Sequence, residues 1–185
     1  DVFRRVLRGG YPEITERAKS ERQRAWFEAY LNMIMQRDVR DLANIAGLAE
    51  LPRLLDILAA RAGGLINYAD LARDAGLNQV TLKRYFTLLS AVFLVVTIRP
   101  WFTNRIKRMM KSEKLYLADI GLLAHLLDVG PQDLERDPRA KGALLENFVA
   151  VELLKQQGWS KVRPQMFHYR DYSGAKVDFV LESPG

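Results

Sequence analysis

Apolar residues recur at helical spacing through the first half of the chain. Between residues 22 and 40 they lie three to five positions apart on one face, opposite a charged face. The members of the apolar face are Trp26, Phe27, Tyr30, Leu31, Ile34 and Met35. Residues 51–62 repeat the pattern, with Pro52 in the first turn, where proline is tolerated, and two glycines after the end. We therefore predict two amphipathic helices, preceded by a loop at residues 9–13.

A third apolar pattern, over residues 68–90, is broken by a turn at Gly76. Glycine adopts the left-handed conformation of such a turn at least cost, and Ala72 lets the two helices cross closely. Asn78 is a favourable N-cap for the second helix. Leu71, Leu77, Leu82 and Tyr85 are placed to fill the space between the helices. This spacing predicts a helix-turn-helix whose second helix places Gln79, Thr81, Lys83, Arg84 and Thr87 on or near its open face.

The next segment predicts a β-hairpin with a basic tip. Residues 91–98 are rich in Val, Phe and Ile, residues 100–104 break the strand, and residues 114–117 return. Arg99, Arg105, Lys107, Arg108, Lys111 and Lys114 are the cations of residues 99–114, and Glu113 is the anion. This local excess of five positive charges is nearly the whole net charge of +6. The three helices and the hairpin together predict a winged helix, and its charge favours polyanionic partners.

The remaining residues predict a smaller α/β unit. Asp119 is expected to cap a short helix ending near residue 127, followed by a polar loop over residues 130–139. A strong helical pattern covers residues 142–157 and is expected to end at Gly158. Strands are predicted at 165–170 and 176–181. The fold class is thus α+β and mostly helical, with a helical segment (1–48), a winged helix-turn-helix (49–118) and an α/β module (119–185).

Composition excludes several classes of protein. The chain has no cysteine, which rules out disulfides and thiolate metal sites and is compatible with the cytoplasm, where we expect the protein. The longest apolar-rich run, residues 88–98, is shorter than the roughly 20 residues of a membrane helix, so no membrane partner is expected. His125 and His168 lack cysteine partners and are expected to be packed or at the surface. No Ser-His-Asp set has a nucleophile-elbow context.

The order of several short motifs resembles one prokaryotic family. The motifs are Gly-Gly-Tyr-Pro-Glu at 9–13, Tyr30 with Gln-Arg-Asp at 36–38, the helix-turn-helix, Lys-Leu-Tyr-Leu-Ala-Asp-Ile-Gly-Leu at 114–122, Gly-Ala-Leu-Leu-Glu-Asn at 142–147, Tyr-Arg at 169–170 and Val-Asp-Phe at 177–179. They resemble the AAA-type ATPases that carry a C-terminal domain of unknown function behind the ATPase core. The resemblance implies a P-loop ATPase first, then a helical lid, a winged helix and a restriction-endonuclease-like fold. Residues 1–48 would then be the lid-like helical segment, and residues 119–185 a partial restriction-endonuclease-like α/β module.

Two departures from that family pattern matter. The chain has no glycine-rich loop ending in Gly-Lys-Ser/Thr, so ATP and Mg²⁺ would bind in a core upstream and no cofactor is expected here. The chain begins without Met and stops in a turn-like sequence, so we expect a fragment of a longer protein that does not itself hydrolyse ATP. The nuclease fold also resembles a helix bearing Glu, a strand bearing Asp and a next strand bearing Glu-x-Lys. Glu146 and Asp178 match the first two, and the third does not occur in this chain.

Two interpretations of Glu146 remain open. As nuclease-like residues, Glu146 and Asp178 would bind Mg²⁺ and activate water for phosphodiester cleavage. As a structural carboxylate, Glu146 would accept hydrogen bonds from Asn147, Tyr169, Arg170 or the backbone. Glu152 is an equal candidate for the buried acid, because it lies among apolar residues of the same helix.

Three functions therefore compete at this point. In a DNA-binding module, Arg105, Lys107, Arg108 and Lys111 would lie along phosphates beside the helix-turn-helix, with Trp101 and Phe102 at the base of the hairpin. In a protein-docking module, the same cations would pair with acids of the helices, of the missing ATPase core or of another protein. The third function is a metal-dependent nuclease, which needs Glu146, Asp178 and further residues.

Overall fold

The protein is α+β and mostly helical, as predicted. The computed structural model describes residues 2–17, 19–43, 49–103, 111–171 and 173–183. The helices are α1 (Val2–Arg8), α2 (Pro12–Thr15), α3 (Ser20–Met33), α4 (Arg40–Ala43), α5 (Leu51–Ala60), α6 (Tyr68–Ala75), α7 (Gln79–Ala91), α8 (Ile120–Leu126), α9 (Pro131–Arg136) and α10 (Pro138–Trp159), with a π-helical stretch at Ile34–Val39 between α3 and α4. The strands are β1 (Val95–Pro100), β2 (Lys114–Leu117), β3 (Gln165–Arg170) and β4 (Lys176–Glu182).

The four strands form one mixed sheet in the order β2-β1-β3-β4. β1 pairs antiparallel with β2, Val95 opposite Leu117, so the predicted pairing of the two strands is confirmed. The predicted start of the first strand at residue 91 was wrong, because α7 continues through Ala91 and β1 begins at Val95. β1 also pairs parallel with β3, Arg99 opposite Phe167, and β3 pairs antiparallel with β4. The hairpin is therefore continuous with the C-terminal strands.

The helix-turn-helix follows the local chemistry of the sequence. The Asn67 side chain caps α6 by accepting hydrogen bonds from Ala69 and Asp70. Gly76 adopts φ 69°, the left-handed conformation predicted for the turn. The Asn78 side chain then caps α7 by accepting from the backbone N–H of Thr81 at 2.8 Å. These caps fix the start of α7 and hence the direction in which its side chains leave the helix.

One main core joins all three predicted segments. It contains Phe27 of α3, Leu55 of α5 and Leu122 of α8, all buried. A second, smaller cluster of Ile98, Tyr116, Ala150 and Met166 lies between the sheet and α10. The division at residues 48 and 118 stays a prediction, and the packing crosses both positions.

Three details of the helix predictions were wrong. Residues 131–136 form α9 instead of a loop, because Pro131 is compatible with a first turn, the Asp133 carboxylate accepts from the Gly130 N–H at 2.8 Å, and Leu134 is buried. α10 begins at Pro138, capped by the Asp137 side chain, and runs through Gly158 to Trp159. The predicted helix over residues 22–40 contains the π-helical stretch. In the described residues, no helix has both the length and the apolar character needed to cross a bilayer.

Candidate functional sites

The first candidate site is the exposed face of α7. Leu82, Tyr85, Phe86 and Leu89 turn into the core. The opposite face exposes Gln79, Lys83, Arg84 and Thr87, and Thr81 is half-buried at its margin. α7 contains no acidic residue. The predicted position of Gln79, Lys83, Arg84 and Thr87 on the open face is therefore confirmed, and Thr81 lies at the edge of that face.

The acids of the preceding helix are engaged with nearby cations. Asp70 pairs with Arg73 of the same helix at 2.5 Å, and Asp74 pairs with Arg61 at 2.5 Å. The Nζ of Lys83 lies 5.4 Å from the centroid of the Tyr68 ring, a cation–π contact that leaves its charge in place. The face defined by Gln79, Lys83, Arg84 and Thr87, called the α7 face below, is therefore cationic.

Two cations of the hairpin form ion pairs within the protein. Arg99 pairs with Glu113 at 3.5 Å, and Lys114 bonds to two carboxylates, so neither cation is a free surface charge. Lys111 is exposed, while Arg105, Lys107 and Arg108 lie outside the described residues. The base of the hairpin is held to the C-terminal strands by Trp101. Its backbone N–H donates to the His168 carbonyl at 2.6 Å, and its indole N–H donates to Glu182 at 3.2 Å.

The second candidate site is a polar cluster of Lys114, Tyr116, Glu146 and Asp178, which come from β2, α10 and β4. The Nζ of Lys114 lies 2.8 Å from Glu146 Oε1 and 2.8 Å from Asp178 Oδ1. The Tyr116 hydroxyl donates to the same Glu146 oxygen at 2.8 Å. Lys114 and Tyr116 are two residues apart on a strand and so share one of its faces. The two acids that the nuclease resemblance implies are thus neighbours, joined by a lysine.

A β-bulge brings Asp178 into this cluster. Phe167 pairs with Val180 and Tyr169 pairs with Val177, so one residue of β3 lies opposite two residues of β4. These two are Asp178 and Phe179, which would point to opposite faces in a regular strand. Asp178 reaches Lys114, while the Phe179 ring packs 6.2 Å from the ring of Tyr116. The extra residue therefore lets a charged and an apolar side chain approach β2 together.

The charges of the cluster stabilise one another. The hydrogen bond from Lys114 lowers the pKa of Asp178 below its usual value of 3.8. Burial disfavours the charged form of Lys114, but the hydrogen bonds to Asp178 and Glu146 outweigh it and raise the pKa of this lysine above 10.5. A lowered carboxylate pKa supports stability above about pH 4, and a raised lysine pKa supports it below about pH 10.5. Lys114 and Asp178 are therefore both charged at neutral pH.

The described residues do not fit the Mg²⁺ site that the resemblance implies. The gap between the two carboxylates is bridged by an ammonium group, which already compensates one of their two negative charges. Among the residues that the structure describes, no third His, Cys, Asp or Glu side chain joins Glu146 and Asp178 in a group able to hold a metal ion. Because Mg²⁺ can complete its ligand shell with water, it is the bridging ammonium of Lys114, and not the number of carboxylates, that leaves the ion no place between them. We derive no catalytic step through a metal at this site.

Glu146 is a paired carboxylate, but its partners differ from those expected. Neither Asn147, Tyr169 nor Arg170 donates to it; Lys114 and Tyr116 do. The alternative prediction, that Glu152 is the buried acid, was wrong, because Glu152 pairs with Lys155 and 36% of its side chain is exposed. Sequence reasoning counted Lys114 only as a basic hairpin residue and missed Tyr116. The alternation of Lys and Tyr on one strand face was the available signal.

Asn147 has a separate structural task beside the cluster. It is fully buried, and its side-chain amide exchanges two hydrogen bonds with Leu117 of β2. The Leu117 N–H donates to Asn147 Oδ1 and Asn147 Nδ2 donates to the Leu117 carbonyl, both at 2.9 Å. The Asn147 amide thus satisfies the backbone of β2 at Leu117 in the way that a neighbouring strand would.

His168 is buried next to the polar cluster. It is 2% exposed, and its Nε2 donates to the Ser112 carbonyl at 3.2 Å, which leaves the buried Nδ1 without a hydrogen-bond partner among the described residues. This imidazole is packed, one of the two alternatives expected for it. His125 is half-buried and stacks on Phe27 at 5.2 Å.

We expect both imidazoles to titrate below pH 6.5. Burial lowers the pKa of His125 and of His168 from 6.5. As the pH falls below 6.5 the unfolded chain takes up these protons first, so their contribution to stability decreases until the folded pKa is reached. An NMR titration of the imidazole C–H signals measures the midpoints. A midpoint at or above 6.5 for His168 contradicts the packing described.

Comparison with known proteins identifies the family. Residues 1–133 match the model of a domain of unknown function, DUF8612, and the chain belongs to that family. Residues 141–185 match a second domain of unknown function, DUF4143. The chain is 33% identical over 181 residues to uncharacterized proteins of Mycobacterium bovis and Mycobacterium tuberculosis. The match covers 97% of this chain but only 40% of each relative. No solved structure matches.

Proposed function

We propose that this chain is a DNA-binding module of a larger protein, in which the helix-turn-helix and the basic hairpin form a winged helix. The α7 face would enter the major groove, and the hairpin would lie along the phosphates. The single observation that carries the proposal is the α7 face itself: four exposed polar or cationic side chains on a helix without acids, capped at its start by Asn78.

The chemistry of these side chains suits a nucleic acid. Gln79 can hydrogen-bond an adenine edge, and Arg84 can bond a guanine edge or a phosphate. Lys83 is a point charge for phosphate, and the Thr87 hydroxyl already donates to the Lys83 carbonyl within the helix. Pairing of the α6 acids with Arg73 and Arg61 limits their repulsion of a phosphate backbone. The exposed Lys111 adds charge on the hairpin side.

Replacing Lys83 and Arg84 with alanine is expected to weaken duplex binding about tenfold in moderate salt, roughly 0.7 kcal/mol for each lost contact. Each phosphate contact contributes about 0.9 to the slope of log K against log salt. The slope should therefore fall by about 0.9 for the Lys83 contact, and by about 1.8 when Arg84 also contacts a phosphate. Alanine is the best helix former, so α7 should persist. Fluorescence anisotropy of a labelled duplex, titrated at several salt concentrations, measures both effects.

A charge-matched variant provides the control. The double variant Arg139→Ala with Lys161→Ala removes one arginine and one lysine from exposed positions, the first in α10 and the second beyond it. Its net charge equals that of the variant lacking Lys83 and Arg84. It should keep the natural salt slope. Equal losses in both double variants would mean that net charge alone attracts the duplex, and would contradict recognition through α7.

A second candidate function is favoured by one apolar residue of α7. Val80 is 81% exposed and, at 3.6 residues per turn, lies between Thr87 and Arg84 around the helix. An exposed apolar side chain among polar ones suits a protein partner with a small pocket. If Val80→Ser abolishes binding of a protein partner while duplex binding stays unchanged, α7 is a helix that docks a protein and the chain is a protein-docking module.

The larger protein is proposed to be an AAA-type ATPase of the cytoplasm, with ATP and Mg²⁺ in a preceding core. Two observations support this: the ordered motifs of residues 9–179 and relatives of which this chain spans 40%. Sequencing the complete gene tests the proposal. A P-loop upstream supports it, and a different enzyme or no nucleotide motif upstream removes it.

A further inference from the structure

We propose that the Lys114 ammonium is the resident cation of the Glu146–Asp178 carboxylate pair, and that the pair fastens the hairpin to the C-terminal module instead of binding a divalent metal ion. This role of the polar cluster does not depend on whether the α7 face binds DNA. It differs from the metal site that the family resemblance implies.

Lys114 is bonded to both carboxylates and is more deeply buried than either of them. Lys114 approaches one oxygen of each carboxylate at 2.8 Å, a short distance typical of charge-assisted hydrogen bonds. Its side chain is only 12% exposed, whereas those of Glu146 and Asp178 are 21% and 38% exposed. The ammonium therefore sits on the inner side of the carboxylates, sheltered from water.

The origin of the three residues supplies the second argument. Lys114 is the first residue of β2, the returning strand of the hairpin, and Leu65 forms a bridge to it on the other edge of the strand. Glu146 is on α10 and Asp178 is on β4. One lysine thus ties the end of the hairpin to a helix and to the far strand of the sheet. The bulge at Asp178 and the bond from Tyr116 to Glu146 hold both acids toward it.

The charge balance supplies the third argument. One ammonium against two carboxylates leaves a net charge of about −1, which the half-buried cluster tolerates because Tyr116 donates to Glu146 as well. Replacing Lys114 with methionine keeps most of the aliphatic stem and removes the charge. Two adjacent carboxylates then repel each other, and this repulsion is relieved by a small divalent cation with water as its remaining ligands.

Manganese binding provides the experiment. The 185-residue chain and its K114M variant are titrated with MnCl₂, and binding is followed by isothermal calorimetry and by paramagnetic broadening of the Tyr116 signals. The natural chain should bind no Mn²⁺ at the cluster up to about 1 mM. K114M should bind Mn²⁺ at least about tenfold more tightly than the natural chain does. The double variant K114M with D178N should lose that gain in affinity. K161M, which removes an exposed lysine, should behave as the natural chain does.

Two results overturn the proposal. One is Mn²⁺ binding by the natural chain below about 1 mM that broadens Tyr116 and disappears in D178N. The other is a folded K114M variant, with the natural circular dichroism spectrum, that gains no Mn²⁺ affinity. Should K114M fail to fold, the titration of the natural chain against D178N decides alone, because absence of binding there supports the resident ammonium and presence refutes it.

Discussion

Replacing Asn147 with leucine should lower the free energy of unfolding by about 2–6 kcal/mol. The substitution keeps the branched shape and the number of heavy atoms of the side chain but leaves the N–H and the carbonyl of Leu117 without their partner, at a site that is fully buried. Each buried group left unpaired costs about 1–3 kcal/mol. Both groups belong to β2, so the loss also loosens the strand that carries Lys114 and Tyr116. Urea unfolding followed by circular dichroism measures the change.

The control for Asn147→Leu is a polar-to-leucine change on the exposed face of the same helix. Gln156 is exposed, and Gln156→Leu should alter the free energy of unfolding by no more than about 0.5 kcal/mol. A loss of less than about 1 kcal/mol in Asn147→Leu would show that β2 does not depend on this amide.

Replacing Gly121 with alanine should lower stability by about 2–3 kcal/mol. A Cβ at this position would lie 2.5 Å from the Arg8 carbonyl oxygen and 2.8 Å from the Gly9 nitrogen, and both are backbone atoms. They cannot move freely, because the N–H of Gly10 donates to Asp119 at 2.7 Å, and Asp119 also caps α8. Overpacking of this kind typically costs about 1–3 kcal/mol.

The thermal unfolding midpoint reports this effect. For a chain of this size 1 kcal/mol shifts the midpoint by about 2–4 °C, so Gly121→Ala should lower it by roughly 4–12 °C. Gly142→Ala is the matched control: it lies within α10, and a Cβ there meets nothing within 4 Å. Alanine favours a helix over glycine by about 0.5–1 kcal/mol, so this variant should be slightly more stable. Equal midpoints in the two variants would contradict the close approach of α8 and the N-terminal segment.

The helix-turn-helix was predictable because its determinants are local. Asn67 was missed as a cap, but Gly76 and Asn78 are each read from neighbouring residues, and the apolar spacing fixes which face is buried. Asp119 was predictable for the same reason, since a cap is set within three residues.

The polar cluster was not predictable from local patterns. Lys114 lies 32 residues from Glu146 and 64 residues from Asp178, so only the tertiary fold brings them together. The bulge that directs Asp178 arises from the pairing of β3 with β4 and leaves no mark in the hydrophobic alternation. The resemblance to the ATPase family selected the two acids, but its usual third residues are absent, and it gave no indication of Lys114.

The hairpin illustrates a related difference between charge counts and structure. Six cations stand between residues 99 and 114, but Arg99 bonds to Glu113 and Lys114 to two acids. Such pairs withdraw charge from any contact with phosphates. The α7 face then carries a larger share of the proposed recognition than composition alone indicates.

DNA recognition through α7 is tested most directly by an NMR titration of the isotopically labelled chain with a short DNA duplex. We expect the largest amide shift changes at Gln79, Lys83, Arg84 and Thr87, and we expect added salt to reverse them. Saturation of the chain with duplex, with the α7 amides unmoved and the largest changes elsewhere, would contradict recognition through α7.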